Sequence, residues 1–289
     1  MRVLLAQLAP AKGDVAANLD RLAALVRAHP VDLAVFPELF LSGYRVGDQV
    51  HRIAMEPDGA VGQALRAASA AAHTAIVVGA PVRAPERSGE VYNAAVLVDP
   101  SGRLTYQVKR YLPTYGPFEE GSFFTPTDTS EVVTLGPHRI GLEICYDAFF
   151  PEITRSLALA GAELLVAISA SPVTSRRLFE RILPARAIEN AAAVVYVNRV
   201  GVEDGVVFGG GSGAWDPRGE PLALENVAFD RREPEELAAV ATIDLAEVPR
   251  WRRFRPTLRD VASRPPAPPI DAASVGSPST EGATRTARL

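Results

Sequence analysis

The sequence predicts an α/β fold built on a mixed sheet, and three features of the sequence lead to this prediction. Short apolar runs of strand length alternate with longer runs whose apolar residues recur at helical spacing. Turn sequences at 99–102 and at 216–219 stand between apolar runs and predict hairpins. Hydrophobic residues make up 47% of the chain and charged residues 22%, which is typical of a globular domain. Because hairpins add antiparallel pairs to an alternating pattern that favours parallel ones, the sheet should be mixed.

The first part of the chain predicts five strands and two helices. Asp14 precedes apolar residues at helical spacing and is a suitable N-cap, and Pro30 ends the helix that follows. A second helix is predicted over 59–73, where alanine, the strongest helix former, dominates. Runs of five to eight mostly apolar residues predict the strands at 3–8, 32–36, 75–82, 92–98 and 104–108.

The second part of the chain predicts four more strands and two more helices. Pro151 suits the first turn of a helix predicted over 153–160. Another helix is predicted over 178–192, where Pro184 should kink or restart the helix because proline lacks the backbone N–H. A glycine-rich segment over 205–215 leads into the second hairpin turn. The strands are predicted at 139–145, 164–169, 194–198 and 238–243.

The sequence predicts one domain over 1–262 and a disordered tail over 263–289. No internal repeat or linker interrupts the first segment. From Ser263 onward, proline, alanine, serine, threonine and glycine dominate, and such a segment cannot bury enough apolar surface to become ordered. The N-terminal pattern is that of a strand rather than a signal peptide, and no run of about 18 apolar residues predicts a membrane-spanning helix. We therefore expect a cytoplasmic protein that binds no membrane.

Charge and metal-binding side chains argue against several function classes. Thirty basic and 34 acidic residues give a net charge of −4, which argues against nucleic-acid binding. The single cysteine excludes a disulfide framework and a zinc site with several thiolates. The four histidines, at 29, 51, 73 and 138, have no metal-ligand spacing, so we expect no metal site.

Cys145 is a candidate nucleophile because it stands where a predicted strand ends and a helix is about to begin. A nucleophile at such a turn lies at the edge of the sheet, near backbone N–H groups that can stabilise an oxyanion. The alternative is a small buried hydrophobic residue, which is the usual role of a free cysteine. A catalytic thiol needs a base, and His138 is a poor candidate because it should lie about 20 Å away on the same strand.

Glu38 and Lys109 are the candidate partners of the thiol. Glu38 follows an apolar strand, where burial would raise the pKa of its carboxyl and make it a better base near neutral pH. Lys109 also ends a strand, and its ammonium could lower the pKa of the thiol and hold a developing oxyanion. The alternatives are a strand-end glutamate that reaches solvent and an ordinary surface lysine. Ligands of α/β sheets bind at the carboxyl ends of the strands, where both residues and Cys145 are predicted.

Three segments resemble the sequence motifs of the nitrilase superfamily, the carbon–nitrogen hydrolases. The similar segments are Phe-Pro-Glu-Leu at 36–39, Lys-Arg-Tyr-Leu-Pro-Thr-Tyr at 109–115, and Glu-Ile-Cys-Tyr-Asp at 143–147 with Phe-Pro-Glu at 150–152. Each motif alone is a weak signal, whereas all three in the family's order are a specific one. The resemblance extends from Met1 to about Asp260.

The resemblance implies a four-layer αββα sandwich, usually assembled as a homodimer or a larger homo-oligomer. It also implies a triad in which Glu38 is the general base, Lys109 stabilises the oxyanion and the intermediate, and Cys145 is the nucleophile. The backbone N–H of Tyr146 would complete the oxyanion hole. Glu120 matches a second glutamate that many members use. The implied reaction needs no metal and no cofactor.

The resemblance implies a small-molecule amide as substrate. Several segments look most like free-standing amidases and the glutaminase domains of glutamine-dependent NAD synthetases. We expect hydrolysis of a small linear amide to the acid and ammonia through a thioester on Cys145. Tyr44 and Tyr115 are candidate substrate contacts, and core packing is the equal alternative for both. Other hypotheses are a nitrilase, an N-carbamoyl-amide hydrolase, and a glutaminase-like subunit or inactive scaffold that serves a partner. The intact Glu38, Lys109, Glu120 and Cys145 set argues against the inactive scaffold.

Overall fold

A computed structural model describes residues 1–225 and 234–264 of the chain. Within these residues the strands and helices alternate as the sequence predicts. The strands are β1 (Arg2–Gln7), β2 (Leu33–Val35), β3 (Ala75–Arg83), β4 (Val91–Val98), β5 (Leu104–Val108), β6 (Val132–Leu135), β7 (His138–Ile144), β8 (Leu164–Ser169), β9 (Ala193–Asn198), β10 (Val202–Glu203), β11 (Val206–Val207), β12 (Gly213–Trp215), β13 (Leu224–Glu225) and β14 (Leu237–Thr242). The helices are α1 (Val15–Ala28), α2 (Val50–Ile53), α3 (Ala60–Ala72), α4 (Pro151–Leu159), α5 (Arg176–Asn190), α6 (Glu247–Phe254) and α7 (Thr257–Ser263).

Two mixed sheets form the centre of the fold. The larger sheet has the order β13-β14-β1-β2-β3-β4-β5, in which β1, β2 and β3 are parallel and the other neighbours are antiparallel. The smaller sheet has the order β12-β9-β8-β7-β6, with β7, β8 and β9 parallel. The hairpin turn at 99–102 closes with a hydrogen bond from the Gly102 N–H to the Asp99 carbonyl oxygen, 2.9 Å long. The predicted mixed α/β sheet is therefore confirmed.

Helices cover the outer faces of the two sheets, and the inner faces pack against each other. Along β1, Leu4 packs with Leu22 of α1, whereas Leu5 belongs to a cluster that includes Leu142 of the smaller sheet. Neighbouring residues of a strand point to opposite faces, so this division is what a double layer of sheets requires. On the other side, Leu157 of α4 packs closely over β7 at a glycine. The result is the four-layer αββα sandwich, as the resemblance implies.

Local signals set the ends of several elements. Asp14 caps α1 by accepting a hydrogen bond from the Ala17 N–H, at 3.0 Å, and Pro151 occupies the first turn of α4. The expected restart at Pro184 is wrong, because α5 continues through the proline as one helix. Phe179, Leu183 and Ala187 are buried in the core on both sides of Pro184, and this packing holds the two halves of the helix together.

Several short elements have no counterpart in the sequence prediction. These elements are α2, α6, α7, β6, β10, β11, β12 and β13. The predicted tail falls almost entirely on residues 265–289, which lie outside the described residues, and the domain boundary at 262 stays a prediction. None of the helices described by the structure is long and apolar enough to span a bilayer.

Candidate active site

Three strand ends bring the candidate residues to one edge of the sandwich. Glu38 follows β2, Lys109 follows β5 directly, and Cys145 follows β7 directly. Strands β2 and β3 are parallel, and β5 runs in the same direction because two antiparallel pairings separate it from β3. Both β4 and β5 contact β7 of the smaller sheet, so the carboxyl ends of strands from both sheets meet.

A tight turn after β2 places Glu38. Leu39 adopts a left-handed backbone conformation with φ of 49°, which is uncommon for a residue with a side chain and is typical of functional turns. Gly79 of the neighbouring strand donates its N–H to the Pro37 carbonyl oxygen at 3.0 Å. A Cβ atom at position 79 would lie 2.2 Å from the Leu39 nitrogen, so only glycine allows this close approach. The turn directs Glu38 inward, where its side chain is fully buried.

Lys109 lies between two buried carboxylates. Its Nζ is 2.6 Å from Oε1 of Glu38 and 2.7 Å from Oε1 of Glu120, and none of the three side chains is more than 3% exposed. Asn93 of β4 donates from Nδ2 to Glu38 at 2.8 Å and to Glu120 at 3.3 Å. Glu119, the neighbour of Glu120, is exposed. The surface-lysine and solvent-exposed-glutamate alternatives are therefore wrong.

The charges of this trio are unbalanced, since one ammonium faces two carboxylates. Burial alone lowers the pKa of Lys109, but the carboxylates of Glu120 and Glu38 outweigh burial and raise that pKa above its ordinary value. Burial raises the pKa of Glu120 to about 7, against the opposing effect of the Lys109 ammonium. Lys109 thus stays protonated at neutral pH, and the excess negative charge is available to accept a proton.

Cys145 stands at a strained turn beside the trio. It is the first residue of a short 3₁₀ helix, Cys145–Phe149, and has φ of 50° in the left-handed region. Its side chain is buried, and burial together with the Glu38 carboxylate raises the pKa of the thiol above its ordinary value. The Lys109 ammonium opposes this rise. A thiol that is protonated at neutral pH needs a general base to become a nucleophile, and Glu38 is the charged group that raises its pKa most.

Two contacts fix the halves of the site to each other. Oε2 of Glu38 accepts a hydrogen bond from the Ala170 N–H, 2.7 Å away, at the end of β8. Asp147, in the 3₁₀ helix of the cysteine, accepts from the backbone N–H of Tyr111 at 2.9 Å and of Arg110 at 3.3 Å. Each contact joins a segment that follows a strand of the larger sheet to a segment that follows a strand of the smaller sheet. Glu38, Lys109 and Cys145 are therefore held together as one unit.

Aromatic rings surround the site. Tyr44 donates its hydroxyl to Oε1 of Glu120 at 2.5 Å, and its ring packs edge-on against Phe118. Tyr115 is 54% exposed and lies edge-on to both Phe118 and Tyr146, with centroid distances of 5.7 and 5.5 Å. A cavity of about 130 Å³ opens beside Tyr44 and Glu120. The structure thus places Tyr44 in contact with the buried trio and Tyr115 at the surface.

Asn93 and Asp147 were not identified as site residues from the sequence. Asn93 interrupts an otherwise apolar strand, Val91–Val98, and is fully buried. A buried amide in such a strand must find hydrogen-bond partners, so this position carried a usable signal. Asp147 lies within the third motif, but its role depends on a contact with a segment 36 residues away in the chain. No local pattern reveals such a contact.

Glu143, two residues before Cys145, is a further buried carboxyl, and it lies on the face of β7 that packs against α4. Its side chain is 2% exposed, and its Oε1 has no hydrogen-bond partner among the described residues. Burial raises the pKa of Glu143 to about 7, and the Thr154 hydroxyl opposes this rise only in part. The folded protein therefore prefers the neutral form of this side chain.

Glu143→Gln should stabilise the protein at alkaline pH and leave its stability unchanged in acid. The raised pKa means that the wild-type side chain loses stability as pH rises from its unfolded-state pKa through about 7, and glutamine removes this loss. We expect a gain of about 3 kcal/mol in unfolding free energy at about pH 8.5 and little gain at about pH 4. Urea titrations at both pH values measure the unfolding free energy. The control is Glu152→Gln, because Glu152 is exposed. Equal gains at both pH values would show that ionisation is not the cause.

Within residues 1–225 and 234–264, no three histidine, cysteine, aspartate or glutamate side chains are grouped so that they could hold a metal ion. The groups at this edge that can do chemistry include a thiol, an ammonium and two carboxylates. This set can deliver a nucleophile, accept and return a proton, and stabilise an oxyanion.

Comparisons with known proteins show which family the chain belongs to. The sequence model of the family described as carbon-nitrogen hydrolase matches residues 2–253. An (R)-stereoselective amidase from a Pseudomonas species is 37% identical over 264 residues, which cover 90% of this chain and 91% of the amidase. A glutamine-dependent NAD(+) synthetase from Rhodobacter capsulatus is 32% identical over 84% of this chain. The chain spans only 43% of that synthetase.

A solved structure extends the likeness to three dimensions. An amidase from Nesterenkonia sp. AN1, whose active-site cysteine carries an acrylamide adduct, superposes with a TM-score of 0.74 at 29% identity. The match covers 90% of this chain and 98% of the amidase. The resemblance found in the sequence is confirmed, and the single cysteine stands at the family's catalytic position. The chain belongs to the carbon–nitrogen hydrolases of the nitrilase superfamily, enzymes that act on carbon–nitrogen bonds other than peptide bonds.

Proposed function

We propose that the protein hydrolyses a small linear amide to the carboxylic acid and ammonia through a thioester on Cys145. The observation that carries this proposal is the buried Glu38–Lys109–Glu120 trio beside a strained turn that presents the single cysteine. The amidase relatives at 37% and 29% identity support an amide as the substrate.

In the proposed first half-reaction, Glu38 accepts the thiol proton while the sulfur of Cys145 attacks the amide carbonyl carbon. The carbonyl π electrons move to oxygen, and the oxyanion is stabilised by the Lys109 ammonium and the backbone N–H of Tyr146. Glu38 then gives its proton to the amide nitrogen, the carbon–nitrogen bond breaks, and ammonia leaves. An acyl thioester remains on Cys145.

In the proposed second half-reaction, Glu38 accepts a proton from water, and the water oxygen attacks the thioester carbonyl carbon. The second oxyanion is stabilised by the same two donors. The carbon–sulfur bond then breaks, the thiolate takes the proton back from Glu38, and the acid departs. Glu120 acts through Lys109, because its carboxylate fixes the position and the charge of the ammonium. The exchange of protons balances over the cycle without a metal or a cofactor.

We further propose that Tyr44 and Tyr115 contact the substrate, although Tyr44 also binds Glu120. Two contacts support this proposal: the hydroxyl of Tyr44 binds Glu120, which binds Lys109, and the ring of Tyr115 packs against Tyr146, the residue after Cys145. The edge-on rings of Phe118 and Tyr146 beside them would accept an apolar acyl group better than a charged one.

A panel of amides, nitriles and carbamoyl compounds tests the reaction class. We expect ammonia and the acid from amides that carry an apolar acyl group, at a higher kcat/KM than from glutamine. Nitrile turnover at a rate above that of the matching amide would identify a nitrilase, and equal amounts of CO2 and ammonia would identify a carbamoyl hydrolase. A folded chain that turns over nothing until a second protein is added would contradict the proposal and favour a partner-dependent subunit.

We also propose that the enzyme works in the cytoplasm as a homodimer or larger homo-oligomer, with neither nucleic acid nor membrane as partner. Large apolar side chains that are exposed on α5 and α6 support self-association: Leu178 is 47%, Ile188 41% and Phe254 79% exposed. Sedimentation of the full chain measures the assembly, and a monomer at micromolar concentration would contradict this part of the proposal.

A further inference from the structure

We propose that a buried ion pair, Arg199–Glu203, is a positioning device that holds the hydroxyl of Tyr44 on Glu120 and thereby fixes the ammonium of Lys109. This inference rests on the proposed function, because it assigns the pair a part in the same site. Arg199 follows β9 directly, and Glu203 lies four residues further along the chain. Nη1 of Arg199 is 2.5 Å from Oε1 of Glu203, and the side chains are 1% and 4% exposed.

The second carboxylate oxygen of Glu203 binds the backbone that carries Tyr44. Oε2 accepts hydrogen bonds from the N–H groups of Tyr44, at 3.0 Å, and of Arg45, at 2.8 Å. These two N–H groups follow the Glu38 turn by six and seven positions, so Glu203 fixes the chain between the general base and Tyr44. Glu203 reaches them from 159 and 158 residues away, and this long-range contact ties two loops together at the site.

Arg199 reaches the ring of Tyr44 by a second route. Its guanidinium lies 4.1 Å from the centroid of Phe208, and the Phe208 ring packs edge-on against Tyr44 at a centroid distance of 5.8 Å. The ion pair therefore restrains both the backbone and the ring of Tyr44. The hydroxyl at the end of that ring is the group that donates to Oε1 of Glu120, the oxygen that also binds Lys109.

A buried ion pair is a costly way to fold a loop, since the desolvation of two charges offsets much of their attraction. An apolar pair would fill the same space, but it could not accept the Tyr44 and Arg45 N–H groups or stack a cation on Phe208. Arg199 also interacts electrostatically with Glu38 and Tyr44. Its backbone N–H donates to the Ser169 carbonyl oxygen at 3.1 Å, next to the Ala170 N–H that binds Glu38. The pair thus contacts the segments that support the Glu38 and Glu120 carboxylates.

Kinetics of Glu203→Gln and Tyr44→Phe, alone and combined, test the proposal. We expect Glu203→Gln to lower kcat about tenfold, because the substituted loop misplaces Glu120 and Lys109, and to raise KM by a smaller factor, because Tyr44 is also a proposed substrate contact. In the Tyr44→Phe background, where the hydroxyl is already missing, Glu203→Gln should lower kcat less than about twofold further. Glu236→Gln is the matched control, since Glu236 also accepts a backbone N–H and an arginine but lies at the surface.

A substrate-independent readout separates this inference from the proposed function. Cys145 is the only cysteine, so the rate of alkylation by iodoacetamide reports on its thiolate alone. Glu203→Gln should slow alkylation about threefold or more in the protein that keeps Tyr44. In the Tyr44→Phe background it should slow alkylation less than about twofold. Absence of amide turnover by the wild type would overturn the proposed function, and alkylation would still decide the positioning role.

If Glu203→Gln unfolds the protein, a variant that removes both charges of the pair provides the test. The double substitution Arg199→Met with Glu203→Met removes both charges, which is far less destabilising than removing one. The same loss in kcat and in alkylation rate, again absent in the Tyr44→Phe background, supports the proposal. An equal fall in both backgrounds, or a rise in KM with unchanged kcat, would overturn it.

Discussion

Cys145→Ala is expected to lower kcat for amide hydrolysis by about 10⁴-fold or more, because no other group can form the thioester. The side chain is only 8% exposed and small, and alanine meets the same backbone strain at φ of 50° as cysteine does. We therefore expect the unfolding free energy to change by less than about 1 kcal/mol. Ammonia release and urea unfolding of the same preparation measure the two effects.

Mass spectrometry provides the decisive control for this prediction. Wild-type protein quenched during turnover should carry the mass of the acyl group on the peptide that contains Cys145, whereas Cys145→Ala should carry none. Turnover by Cys145→Ala within about tenfold of the wild-type rate would exclude covalent catalysis through this residue. A fall in turnover together with loss of folding would be settled by Cys145→Ser, which keeps the size and polarity of the side chain.

The parts of the site that could be predicted from the sequence are those that depend on strand ends. Glu38, Lys109 and Cys145 each follow an apolar run, and α/β sheets present ligand sites at the carboxyl ends of their strands. That rule brings the three residues to one edge without any knowledge of which strands pair. Local arguments made Cys145 a candidate nucleophile, Glu38 a candidate base and Lys109 a candidate oxyanion stabiliser, and the resemblance joined them into one triad. The roles of Glu38 and Lys109 stay proposals.

The parts that could not be predicted depend on contacts between distant segments. Asn93 bridges Glu38 and Glu120, and Glu203 holds Tyr44 from 159 residues away. No periodic or local pattern in the sequence shows which residues these two side chains contact. Asn93 alone had a signal, as a polar residue in a strand whose other residues are apolar. Arg199 gave no signal in the sequence, because the chain is rich in arginine and one more arginine does not stand out.

The missed elements of the fold have a related cause. Strand β6 has four residues of which one is buried, and β10, β11 and β13 have two residues each. Such segments show too little alternation for a pattern to emerge, and pairing with a neighbour decides their conformation. Pro184 shows the opposite situation, because a strong local signal was overridden by burial of the flanking residues against the core.

Lys109→Met is expected to remove both activity and a large part of the stability. The ammonium is the cation that contacts Glu38 and Glu120, so its loss leaves two carboxylates buried within reach of the same Asn93 amide. Breaking a buried pair in this way costs about 3–5 kcal/mol of unfolding free energy. We expect kcat to fall by about 10³-fold or more, since the oxyanion loses its charged donor and Glu38 loses the group that fixes it.

The pH dependence of the loss distinguishes an electrostatic cause from a packing defect. The raised pKa of Lys109 keeps its stabilising charge present throughout the neutral range, because such a contribution is lost only as pH rises through the folded-state value. Without the ammonium, the burial that raises the pKa of Glu120 loses its largest opposing interaction, so keeping this buried carboxyl ionised costs more stability as pH rises. Lys109→Met should therefore lose more stability at about pH 8 than at about pH 5.

Lys12→Met is the matched control, since Lys12 is the other lysine of the chain and pairs with Asp204 at the surface, with both side chains more than a third exposed. An exposed pair contributes less than about 1 kcal/mol, so this variant should lose little stability at either pH. An equal loss for Lys109→Met at both pH values would mean that the methionine simply fails to pack. A loss that grows with pH, with no such growth in Lys12→Met, would show that the buried ammonium stabilises the Glu120 carboxylate electrostatically, next to the proposed base Glu38.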